Sequence, residues 1–148
     1  MTTSLSQFNK SIHEFVDDII KMKIMNKEAF KLKRYVDITR VNARSIIRNF
    51  QKFILRDIFV SNIIKNNTDF FLNHNIREEL NITDESTGDL IDQIKDLVNN
   101  LVIADDTVKI NKTFNWLKIL CYHAYNDLGI DANQKFNLLM TEKGLNIE

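Results

Sequence analysis

Apolar residues recur at three- and four-residue spacing along most of the chain, the repeat of helices that each turn one face to a core. Leu5, Phe8, Ile12, Phe15, Val16, Ile19 and Ile20 form one stripe, with Glu14, Asp17 and Asp18 facing away and Ser4 or Thr3 placed to cap it. A basic connector, Lys21 to Met25, leads to Asn26, the expected cap of a second helix running to about Thr39 with Phe30, Tyr35, Val36 and Ile38 inward. Asn42 is the expected cap of a third, from Ala43 to about Phe59, with Ile46, Ile47, Phe50, Phe53, Ile54 and Ile58 inward.

Residues 61–83 are the least regular. Asn66 to Asp69 reads as a turn, Phe70-Phe71-Leu72 as an apolar plug, and Ile76–Leu80 as a short helix. After the loop Asp84 to Gly88, with Ser86 or Thr87 as expected cap, a fourth long helix carries Leu90, Ile91, Ile94, Leu97, Val98 and Leu101. Asp105 or Asp106 opens a fifth with Val108, Ile110, Phe114, Leu117, Leu120 and Cys121. Asp127-Leu128-Gly129 reads as its end, and Asp131 as the cap of a last short helix. No convincing strand alternation occurs. The pattern predicts an all-α fold, one domain over 1–148, a bundle of about five main helices and two or three short ones.

Composition sharpens this reading. The chain has 148 residues, no proline, three glycines and one cysteine. That leaves little turn chemistry for a many-stranded β-fold, no Gly-rich phosphate loop and no intrachain disulfide. No secretory leader, lipidation signal or membrane-length apolar run is recognisable, so an intracellular location without membrane insertion is expected, and the sequons at Asn9, Asn66, Asn81 and Asn111 read as unglycosylated.

Candidate chemistry is sparse. Cys121 lies on an apolar helix face and reads as a small core residue rather than a reactive thiol. His13, His74 and His123 are scattered, with none in a metal-binding His-x-x-x-His pair. Asp89, Asp92 and Asp96 share a helical face, but no oxygen-rich loop completes a cation shell. The expectation is a protein that is not an enzyme, with no catalytic residues, no metal, no cofactor and no small-molecule substrate.

The charge is more informative than its total. Twenty basic and twenty acidic side chains cancel, yet residues 21–65 hold twelve basic against three acidic, and residues 66–148 seven against fourteen. Within the basic block Arg40, Arg44, Arg48, Lys52 and Arg56 recur every four residues. On a continuous helix they form a ridge nearly opposite the apolar stripe. Like charges at this spacing repel unless something neutralises them. Leu55 and Phe59 are expected beside the ridge, so the candidate partner-binding set is Arg40, Arg44, Arg48, Lys52, Leu55, Arg56 and Phe59. Three readings stand: a ridge that is solvated or paired with the chain's own acidic helices, a dock for an acidic partner protein or another copy, or a nucleic-acid phosphate contact. Against the last, no aromatic platform interleaves with the cations.

Val41-Asn42-Ala43-Arg44-Ser45-Ile46-Ile47 and Asn67-Thr68-Asp69-Phe70-Phe71-Leu72-Asn73 resemble segments of short uncharacterised proteins of nucleocytoplasmic large DNA viruses, the giant viruses. Phe8-Asn9-Lys10, Asp17-Asp18-Ile19 and the later Phe114-Asn115-Trp116-Leu117 resemble flanking helices of that group. Ala43 stands where the group tends to have proline. The resemblance implies a viral origin and a non-enzymatic role, with a virion-associated, minor-capsid or virus-factory component as its concrete form. Together these readings give an interaction protein docking a partner through the cationic ridge, with a nucleic-acid-binding accessory factor as the alternative.

Overall fold

The computed structural model of the chain describes residues 3–22 and 44–142. The expected second helix (Asn26 to about Thr39) and Arg40 lie outside them. Eight α-helices and no strand occur among the described residues: α1 (Ser4–Met22), α2 (Arg44–Asn49), α3 (Asp57–Ile64), α4 (Thr68–Asn73), α5 (Ile76–Glu79), α6 (Glu85–Ile103), α7 (Thr107–Leu128) and α8 (Ile130–Glu142). A π-helical turn, Phe50–Ile54, continues α2. The all-α bundle expected from the spacing is therefore the observed fold.

α7 is the central element. α1 lies along it, α8, α3 and α6 pack on it, and α4 and α5 are laid against α6. One contiguous core results, in which Phe8, Phe15, Ile47, Ile54, Phe59, Phe71, Leu117 and Leu120 are all essentially inaccessible to water. Aromatic contacts stitch the layers together. Phe8 meets Phe50 edge-on at 5.3 Å, Phe15 stacks on Trp116 at 6.2 Å, and Phe71 bridges Phe59 and Phe114 at 6.0 and 5.6 Å. The plug expected at Phe70 and Phe71 is buried, but on a helix turn rather than in an irregular loop.

Helix starts follow side-chain capping. Thr3 Oγ1 accepts from the Ser6 N–H and opens α1. Asp84, rather than Ser86 or Thr87, caps α6, its Oδ2 accepting from both the N–H and the hydroxyl of Thr87. The carboxylate wins because it takes two donors at once at a position favoured by the helix dipole. Asp106 caps α7 through the Lys109 N–H. Asp131 falls within the first turn of α8 instead of capping it.

Helix ends solve a different problem, since glycine is scarce. Asn66, Asn81 and Asp105 all hold the left-handed conformation, with φ of 53°, 52° and 54°. Each is followed by a residue whose N–H reaches back five positions: Asn67 to Asn62, Ile82 to Arg77, and Asp106 to Leu101. These are Schellman closures with Asn or Asp standing where glycine is usual. Gly129 serves the end of α7 with φ of 125°, as the Asp127-Leu128-Gly129 pattern predicted.

Candidate interaction surface

The expected third helix does not run unbroken from Ala43 to Phe59. After the π-helical turn the chain breaks at Leu55 and Arg56, where Arg56 is extended, and α3 starts afresh at Asp57. The reason is a phase conflict in the apolar pattern. Ile46, Ile47, Phe50, Phe53 and Ile54 share one face, whereas Phe59 and Ile63 would project from the opposite side of the same helix. Breaking the helix turns both sets into one core.

That break corrects two expected positions. Phe59 was expected on the exposed contact surface, yet it is fully buried, edge-on to Phe70 at 6.1 Å and to Phe71 at 6.0 Å. Ile58 was expected inward and is 47% exposed. Leu55 is half-buried and packs on the core rim. The apolar component of the surface is therefore Leu55 and Ile58, not Phe59.

The cations divide into two kinds. Arg44 is committed within the fold: its Nη1 donates to Asp127 Oδ2 at 3.1 Å, and Gln51 Nε2 donates to the same oxygen at 3.0 Å. Arg44 thus ties α2 to the end of α7, and for this residue the internally paired reading holds. Arg48, Lys52 and Arg56 are exposed, and among the described residues no carboxylate lies within ion-pair distance of any of them. Lys52 Nζ sits 5.1 Å from the Phe53 ring centroid, a cation–π contact that leaves its charge outward.

Several other cations are paired with carboxylates, while Lys95 donates to the His74 carbonyl at 2.9 Å. Lys112 and the Trp116 indole N–H both reach Asp18, at 3.2 and 3.0 Å, fastening α1 to α7. Lys135 meets Asp57 at 3.0 Å. Arg77 lies among Asp89 at 3.1 Å, Glu85 at 3.5 Å and Asp92 at 3.6 Å. The three-carboxylate face noticed in the sequence is thus partly occupied by a guanidinium rather than open for a cation. Sequence spacing does not reveal this, because Arg77 comes from a separate helix.

Cys121 is fully buried and burial pushes its thiol up to about 12, so it is a protonated small hydrophobe. Burial holds His123 below its ordinary value, and its ring rests against Tyr122. Among the described residues no group of three or more His, Cys, Asp or Glu is placed to hold a metal ion. None of the described helices is long and apolar enough to cross a membrane. The chain matches no protein-family model, no curated protein and no solved structure.

Proposed function

We propose that this protein is a non-enzymatic interaction module that docks an acidic protein surface on Arg48, Lys52 and Arg56, with Leu55 and Ile58 as the apolar edge of the contact. The observation that carries this reading is the contrast in pairing. Lys10, Arg44, Arg77, Lys109, Lys112 and Lys135 each have a carboxylate partner in the fold; among the described residues Lys21, Lys95 and Lys118 lack one singly, on separate helices, whereas Arg48, Lys52 and Arg56 lack one in succession on one segment. Like charges crowded on one short segment repel one another. An anionic partner removes that repulsion and gains the Coulombic attraction as water leaves. The resemblance to giant-virus proteins supports a virion-associated or virus-factory setting, inside the infected cell, where surfaces rather than reaction centres are needed.

Fluorescence anisotropy with labelled poly-glutamate and with duplex DNA, each titrated against salt, tests this proposal. The acidic polypeptide should bind at low salt, and Arg48→Glu/Arg56→Glu should weaken it by at least about tenfold. Equal binding by variant and wild type contradicts the proposal. Tighter binding to DNA, falling steeply with salt, selects the accessory-factor reading instead.

A further inference from the structure

The acidic surface that best complements Arg48, Lys52 and Arg56 is present on the chain itself. Glu85, Asp89, Asp92 and Asp96 are spaced at i, i+4, i+7 and i+11 along α6 and all are exposed. That spacing draws a straight line of carboxylates down the helix, about 16 Å long at 1.5 Å per residue. The three cations follow one another along one stretch of chain, Arg48 in α2, Lys52 in the π-helical turn and Arg56 at the break before α3. Within one molecule these cations and carboxylates do not pair: among the described residues Arg77, from α5, is the cation at ion-pair distance from Glu85, Asp89 and Asp92. Asp96 has no cation at ion-pair distance among the described residues.

The two sets of charge adjoin at the start of α6. Asn49, next to Arg48 in α2, donates through Nδ2 to Asp84 Oδ2 at 3.5 Å, and Asp84 is the residue from which α6 starts. A surface that carries a positive line beside a negative one is self-complementary under a two-fold rotation. The cations of each copy then meet the carboxylates of the other, twice over. The zero net charge of the chain removes the overall repulsion that keeps strongly charged monomers apart.

We infer that the occupant of the cationic surface is a second copy of this chain, joined in a two-fold dimer through the carboxylate line of α6. The inference rests on the docking role proposed above for Arg48, Lys52 and Arg56.

The test uses the full chain in sedimentation velocity. Wild type should reach the mass of two copies at about 50 mM salt and return toward one copy near 500 mM, where the screening length is only a few ångström. Two variants reverse one line each: Arg48→Glu/Arg56→Glu for the cations, and Glu85→Lys/Asp96→Lys for the carboxylates. The second leaves Asp89 and Asp92 on Arg77. Each variant alone should be monomeric, with dimerisation weakened by about tenfold or more. An equimolar mixture should recover the dimer, because the reversed residues of each variant again face residues of opposite charge on the other. Circular dichroism identifies a variant that fails to fold, and Glu85→Gln/Asp96→Asn then supplies the milder form, expected to weaken the dimer without reversing it. A wild type that stays monomeric at low salt, a dimer indifferent to both variants, or a mixture without recovery overturns the inference. If the wild type is monomeric yet poly-glutamate still binds in a manner sensitive to Arg48→Glu/Arg56→Glu, only the self-docking falls. If poly-glutamate binding ignores that variant, the docking role itself fails.

Discussion

At Gly88, in the first turns of α6, the missing side chain makes room for another residue's charge. A Cβ built there would fall on the Arg77 guanidinium, which covers this position while reaching Glu85, Asp89 and Asp92. Alanine in a helix is ordinarily worth about 1 kcal/mol over glycine. With Arg77 displaced, Gly88→Ala should therefore gain less than that, whereas in an Arg77→Ala background it should gain the full amount. Chemical denaturation of the four proteins in this double-mutant cycle should give a coupling of about 1 kcal/mol.

Cys121 gives a prediction of a different kind. Its thiol is raised from 9.0 in a free chain to about 12 by burial. Below pH 9 both folded and unfolded chains hold the proton, and the contribution to stability is constant. Above it the unfolded chain releases the proton first and binds fewer, so stability falls as pH rises, by up to about 1.4 kcal/mol per pH unit. Tyr125, raised by burial and then by its neighbours Cys121 and Asp57, acts in the same sense. Denaturation midpoints measured from pH 8 to 11 should decline for wild type and decline less steeply for Cys121→Ala.

Among the helices, the endings hold the most accessible reserve of stability. The three Schellman closures place Asn66, Asn81 and Asp105 in a conformation that costs an L-residue about 1 kcal/mol and glycine nothing. Asn81→Gly should therefore raise stability by about 0.5–1 kcal/mol, read as a higher denaturation midpoint with unchanged slope. An unchanged or lower midpoint would mean that the asparagine side chain holds the turn.

These endings also show how far the fold was legible beforehand. The stripes of α1, α6 and α7 could be read because each is a long amphipathic run with one unbroken phase. The segment 43–64 misled because it contains two stripes whose phases disagree. A break at Leu55 and Arg56 lets Phe59, Val60, Ile63 and Ile64 form their own i, i+1, i+4, i+5 face, and that pattern was available in the sequence. Arg77 was illegible for another reason: nothing local links a short helix to carboxylates eight to fifteen residues later. Of the candidate surface, Arg48, Lys52 and Arg56 were foreseen as exposed cations. Arg44 was drawn away by Asp127, more than eighty residues distant, which no periodicity discloses.

For the whole molecule, the relevant quantity is the arrangement of charge rather than its sum. Seating particular cations on carboxylates fastens the layers: Asp18 holds α1 to α7, Asp57 holds α3 to α8, and Asp127 holds α2 to α7. The fold thereby leaves Arg48, Lys52 and Arg56 outward beside half-buried Leu55 and exposed Ile58, a surface suited to an anionic contact with an apolar edge. The most direct measurement of this claim is a nuclear magnetic resonance titration of the ¹⁵N-labelled protein with poly-glutamate at low salt. The largest shift changes should fall on Arg48, Lys52, Leu55, Arg56 and Ile58, and should vanish in Arg48→Glu/Arg56→Glu. Changes centred on Lys112 or Lys135, or an undiminished response in the variant, would contradict it.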